Sequence, residues 1–153
     1  MKILKIQALR GPNLWSIRRT KLIQMRLDLE ELEERPTDKI EGFRERIEAL
    51  LPSLIEHRCS EGCYGGFFQR VDRGTWMGHV IEHIALEIQT LAGMDVGFGR
   101  TRETKTSGVY KLVFNYLEEK VGVYAAKASV RIAEALISGE DYDLSEDIQK
   151  MKE

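Results

Sequence analysis

Two histidines with a glutamate beside the second, His79-Val80-Ile81-Glu82-His83, make the most chemically loaded stretch of the chain. On a helix, residues four apart sit on one side, so both imidazoles can reach one ion. Zinc binds imidazole nitrogen readily, and Glu82 beside it can act as general base on a metal-activated water. A catalytic zinc needs a third protein ligand and an open position. Glu87 lies four residues past His83 but eight past His79, about 12 Å of helix rise. That spacing suits it better to orienting His83 from behind than to sharing the ion. Carboxylates on other elements are easier to place: Glu118 and Glu119 after an alternating segment at 109–116, and Glu103 before it. Glu119 is the favoured third ligand. Arg100 and Arg102, in Gly97-Phe98-Gly99-Arg100-Thr101-Arg102-Glu103, are placed to bind substrate and a developing oxyanion. The same segment is a poor phosphate loop, because Arg102 replaces the last glycine of G-x-G-x-x-G.

The order H-x-x-E-H mirrors H-E-x-x-H and is that of inverzincin metallopeptidase sites. The plainer reading is a polar helix face packed on a neighbouring domain. The helical wheel bears on the choice. Met77, Val80, Ile81, Ile84, Ile88 and Leu91 fall on one arc, while His79, Glu82 and His83 fall opposite, with Trp76, Leu86 and Glu87 beside them. The histidines therefore belong to a partly apolar cleft and not to the core stripe. Cys59 and Cys63 are four apart, which is not a zinc-ribbon spacing, and they read as buried free thiols.

The elements that must position these residues can be read from periodicity. Lys2 to Leu9 alternates loosely and reads as a strand. Lys21 to Leu29 alternates well, with Ile23, Met25, Leu27 and Leu29 on one face. Ile40 to His57 has helical spacing that Pro52 should split in two. Phe67 to Asp72 reads as a short strand or loop after the turn-rich 59–66. Thr75 is placed to cap a helix from Trp76 to Leu91, with Gly93 as its stop. Val109 to Tyr116 is a strand, Val121 to Ile137 a helix ended by Gly139, and 141–153 a frayed helix or tail. This order implies an α+β fold. It is a single domain over 1–153, with a small antiparallel or mixed sheet of about four strands covered by helices.

Composition bounds the partners. A net charge of −2 argues against a dedicated nucleic-acid binder. No apolar run is long enough to span a bilayer, and no signal peptide is visible, so a cytoplasmic protein without a membrane partner is expected. The charge is unevenly placed. Met1 to Leu27 holds no Asp or Glu but carries Lys2, Lys5, Arg10, Arg18, Arg19, Lys21 and Arg26, whereas Asp28 to Glu34 and Glu140 to Asp147 are acidic. Such a surface suits a partner bearing both signs.

Several longer motifs occur in order along the chain. They are Leu9-Arg10-Gly11-Pro12-Asn13 with Trp15-Ser16-Ile17-Arg18-Arg19, then Met25-Arg26-Leu27-Asp28-Leu29-Glu30. Gly74-Thr75-Trp76-Met77-Gly78-His79 running on to Glu87 follows, and then Val96 to Glu103. On these the chain resembles the N-terminal domain of cyanophycin synthetases. The resemblance implies a parent enzyme that is a cytoplasmic homo-oligomer. It makes cyanophycin, a poly-aspartate backbone with arginine on each side chain, using ATP and Mg2+ in ATP-grasp and Mur-ligase-like domains. Neither of those domains has a signature in this sequence. For the domain itself the resemblance implies holding the polymer. In members that keep H-x-x-E-H it also implies cutting the polymer internally to generate primers, a role carried onto His79, Glu82 and His83 with zinc as cofactor. The alternative is a non-catalytic polymer-binding or docking module with a relic motif.

Overall fold

The computed structural model describes residues 1–59 and 62–153. Strands β1 (Lys2–Leu9) and β2 (Leu22–Asp28) come first. Helices α1 (Phe43–Leu50), α2 (Gly66–Arg73) and α3 (Met77–Leu91) follow, then strands β3 (Gly99–Glu103) and β4 (Val109–Asn115), and helices α4 (Glu119–Ser138) and α5 (Leu144–Lys152). The sheet is four-stranded, in order β1-β2-β4-β3, with every neighbouring pair antiparallel. The α+β expectation holds, and the sheet is antiparallel and not mixed. No helix among the described residues is long and apolar enough to cross a membrane.

The alternation in β2 does what it implies. Ile23, Met25, Leu27 and Leu29 are fully buried. They share one core with Ile81, Ile84 and Ile88 of α3 and Ala125, Ala128 and Ile132 of α4. Burying each of the isoleucine, leucine and methionine side chains contributes about 1.5–3 kcal/mol. The opposite face of the sheet carries Gln24 and Arg26, both half-buried. Close approach of α4 depends on Gly122, where a Cβ would lie 2.8 Å from Ile23 and from Tyr116.

Four local expectations need correction. Phe67 to Asp72 is neither strand nor loop but the body of α2. Phe67, Phe68 and Val71 are buried together at i, i+1 and i+4, a pattern too short to be decisive in sequence. Pro52 does split its region, but into α1 and a 3-10 turn at Pro52–Glu56 rather than two α-helices. The C-terminal segment is a docked helix, not a frayed tail. Buried Asp147 accepts from Tyr124 Oη (2.6 Å), Arg131 Nη2 (3.1 Å) and Tyr142 Oη, and Met151 is buried. Leu91, expected on the core arc, is 38% exposed because it ends α3 where the chain turns at Ala92 and Gly93.

Candidate metal centre

Helix α3 is enclosed on nearly all sides; Met77 to Ile84 are buried but for His79, itself half-buried. It lies between α4, the β3–β4 half of the sheet, and the turn at Pro52–Glu56. His79 and His83 sit one turn apart on the side facing that turn and α2. Their Nε2 atoms are 3.1 Å apart. The sulfur of Cys59 is 3.0 Å from His79 Nε2. Among the described residues, Cys59, His79 and His83 are the set whose donor atoms lie within 4.8 Å of one another. Buried Phe67 of α2 packs against all three histidine rings, with its centroid 4.4 Å from His83, 6.0 Å from His79 and 6.4 Å from His57.

A hydrogen-bonded chain stands behind the two converging nitrogens. Ser53 Oγ donates to Glu87 Oε1. Glu87 Oε2 is 2.7 Å from His57 Nε2, and His57 Nδ1 is 2.8 Å from His83 Nδ1. A carboxylate only accepts, so His57 donates from Nε2 and its Nδ1 is left as an acceptor. His83 must then donate from Nδ1, which leaves its Nε2 lone pair bare. On the other side His79 Nδ1 is 3.2 Å from Thr75 Oγ1. With His79 donating there, its Nε2 is bare too. In that tautomer two imidazole lone pairs and a cysteine sulfur converge on one point, an arrangement that a cation stabilises.

The electrostatics agree with ligand chemistry. Burial pushes His79 down to about 4, helped by the nearby Arg70 charge. Burial, with the other two histidines and Arg70, holds His83 well below its ordinary value. Both rings are therefore neutral, the form that binds metal. Burial pushes the Glu87 carboxyl up, but hydrogen bonds from His57 and Ser53 outweigh it and leave the group below its ordinary value. The donor spacings also suit zinc. With Zn–N near 2.0–2.1 Å and Zn–S near 2.3 Å, tetrahedral ligand atoms stand roughly 3.3–3.6 Å apart. The observed 3.0 and 3.1 Å need only a few tenths of an ångström of adjustment. A thiolate with two imidazoles is a donor set zinc favours.

Glu82 faces the other side of the same cleft, against β3. Its Oε2 accepts from Thr101 Oγ1 at 2.6 Å. Burial raises it to about 7, opposed by the Thr101 hydrogen bond and the Arg100 charge. Gly99 makes this seat possible: a Cβ there would lie 2.7 Å from Glu82 Cγ and Oε1. The glycine in the 97–103 segment therefore accommodates a carboxylate of its own chain. The cleft holds about 770 Å3, and its walls include Cys59, His79, Glu82, His83, Arg100 and Arg102.

The structure brings together the residues expected from the pentad and both arginines, but it rearranges their support. Glu119 lies elsewhere. It begins α4 and is ion-paired with Arg10. The end of β4 meets the far end of α3, where Gln89 Nε2 donates to Asn115 O, and Gln89 is about 15 Å of helix from His79. Glu103 is exposed on β3, outside this cleft. Glu87 is in the supporting position, although it acts through His57 and not directly on His83. Thr75 does not cap α3: Trp76 is the N-cap residue, without a side-chain bond, and the Thr75 hydroxyl faces His79. Cys59 and Cys63 are not buried thiols; Cys63 is exposed and Cys59 half-buried at the cluster. Sequence reasoning missed Cys59 and His57. The available signal was their spacing of two, in a chain with only three histidines.

An antiparallel sheet covered by helices, with a two-histidine, one-cysteine cluster beside a buried glutamate, defines an α+β domain built around a metal-type cleft. The match to known proteins is more specific. Residues 24–138 match the cyanophycin synthase-like N-terminal domain model, and the chain belongs to that family. It is 57% identical over its whole length to cyanophycin synthetases of Trichormus variabilis and Geminocystis herdmanii. Over 95% of its length it is 58% identical to that of Synechocystis sp.. It spans 17%, 18% and 17% of those relatives, respectively.

Proposed function

We propose that this domain is a zinc-dependent endo-hydrolase of cyanophycin, whose short products prime polymer synthesis by the parent synthetase. The convergence of Cys59, His79 and His83 donor atoms in a cleft shared with Glu82 carries the reading. Cys59 replaces Glu119 as the third ligand. Zinc held by these three residues would supply Lewis acidity and lower the pKa of a water in its remaining position.

The chain's own groups account for the rest. Glu82, raised to about 7, is matched to taking a proton from the attacking water and returning it to the leaving amide nitrogen. Thr101 fixes which carboxylate oxygen is free, since Oε2 accepts from its hydroxyl. Arg100 and Arg102 line the cleft and hold the substrate carboxylate and the developing oxyanion. An open cleft, rather than a closed tunnel, suits attack within a long chain.

The test is chain-length analysis of cyanophycin incubated with the zinc-loaded domain, with chelator, and with Glu82→Gln. Shortening is expected in the first sample alone. Equal shortening in all three, or none in any, refutes the reading; polymer bound but uncut leaves a binding module.

A further inference from the structure

Of the three imidazole protons at the cleft, the one on His79 is not fixed by a carboxylate. Glu87 holds the proton of His57 on Nε2, and His57 in turn holds the proton of His83 on Nδ1. His83 Nε2 is therefore an acceptor, and His83 is buried. Among the described residues, the ring nitrogen within hydrogen-bond distance of it is His79 Nε2, at 3.1 Å. Two bare nitrogens facing each other would leave the buried one without a donor, at a cost of about 1–3 kcal/mol. With its proton on Nε2, His79 donates to His83 and the conflict disappears. Its Nδ1 then becomes an acceptor and needs a donor of its own.

Thr75 is placed to be that donor. It is buried, and its hydroxyl lies 3.2 Å from His79 Nδ1. Buried Thr37, in the 3-10 turn Thr37–Lys39, holds it there. Thr37 N–H donates to Thr75 O at 2.9 Å, and Thr75 N–H donates to Thr37 Oγ1 at 3.0 Å. The Thr37 hydroxyl itself donates to Val71 O at 2.7 Å. Both polar groups of the Thr75 backbone are thus occupied by Thr37. Among the described residues, the hydroxyl of Thr75 is left with His79 as its partner. A hydroxyl carries one hydrogen and two lone pairs, so by rotating it serves either proton position of an imidazole.

We propose that Thr75 is a positioning residue that decides which nitrogen of His79 carries the proton, and that it exchanges one tautomer for the other as the site loads. While the cluster is empty, Thr75 donates to Nδ1 and His79 Nε2–H bridges to His83. When a metal ion takes the Nε2 lone pair, the Nε2 proton leaves to water in the cleft that His79 lines. A proton returns at Nδ1, and the Thr75 oxygen accepts it. The ring is neutral before and after, so the exchange adds no charge to a buried site. The empty cluster is closed by its own hydrogen bonds, and it accepts an ion without rebuilding the backbone around it. The proton position in the metal-free chain rests on these hydrogen bonds alone; the exchange on loading rests on the zinc reading above.

The test is nitrogen NMR of the imidazoles in the whole chain, whose three histidines are assigned by single substitutions, with zinc affinity measured against a chromophoric chelator. At neutral pH the metal-free protein should carry the His79 proton on Nε2, and the zinc-loaded protein should carry it on Nδ1. Thr75→Val keeps the side-chain shape and the backbone bonds to Thr37 but removes the hydroxyl. It should weaken zinc binding by roughly 10–100-fold. Thr75→Ser should restore most of that loss, because it returns the hydroxyl without the methyl. A metal-free His79 protonated on Nδ1 overturns the proposal. So does an unchanged proton position on loading, parent affinity in the folded Thr75→Val variant, or a Thr75→Ser variant as weak as Thr75→Val. A protein that takes up no zinc overturns the exchange together with the zinc reading, and the metal-free spectrum then decides the Thr75 contact by itself.

Discussion

The chain from Glu87 through His57 to His83 makes a quantitative prediction about a residue outside the proposed ligand set. His57→Ala removes the acceptor of the His83 Nδ1 proton, a contact of 2.8 Å. His83 is buried, so its donor is left unsatisfied, at a cost of about 1–3 kcal/mol. The alternative is for the ring to shift its proton to Nε2, the atom that should bind zinc, which converts the cost into lost affinity. Removing supporting partners of metal-bound histidines typically lowers metal affinity 10–100-fold, or about 1.4–2.7 kcal/mol. The two routes agree, so His57→Ala should weaken zinc binding by roughly 10–100-fold. Competition with a chromophoric chelator at neutral pH measures it. Glu87→Gln should weaken binding by a smaller factor. Since Glu87 acts through His57, the double variant should be no weaker than His57→Ala alone. Unchanged affinity in His57→Ala, or fully additive losses in the double variant, refutes the relay.

Other predictions concern the remaining parts of the molecule. Gly99→Ala places a methyl on the Glu82 carboxylate, so it should abolish polymer cutting while zinc affinity stays near that of the parent; parallel activity and chelator assays check this. Glu87 is held below its ordinary carboxylate value, so its contribution to stability is full above the unfolded carboxyl's pKa and disappears as pH falls through the folded value. Metal-free melting curves of the parent and Glu87→Gln should accordingly differ at neutral pH and converge in acid. Asp147→Ala strips acceptors from Tyr124, Tyr142 and Arg131; it should cost about 3 kcal/mol and selectively speed amide exchange in α5.

Much of the architecture is legible in the residues, for identifiable reasons. The strict alternation of Ile23, Met25, Leu27 and Leu29 survives because one face of β2 is wholly buried and the other is not. The pentad is equally readable because its spacing matches one helical turn. Short elements carry too few periods to be read: α2 has eight residues, and the contact of Phe67 with the histidine rings has no local signature. The proposed third ligand is hidden for a different reason. Cys59 follows a 3-10 turn and has a positive φ of 55°, so its approach to α3 depends on how Pro52–Glu56 folds back, which no local pattern encodes. Glu119 follows a strongly alternating strand and so is eligible by sequence, but antiparallel pairing carries that strand's end to the far end of α3.

The central claim is an open zinc site made by Cys59, His79 and His83, and zinc K-edge X-ray absorption of the metal-loaded domain tests it most directly. The account expects one sulfur near 2.3 Å and two imidazole nitrogens at about 2.0–2.1 Å, with one further light-atom ligand from solvent. In Cys59→Ser the sulfur shell should vanish. A spectrum without sulfur in the parent, or with the solvent position filled by a third imidazole, would contradict it.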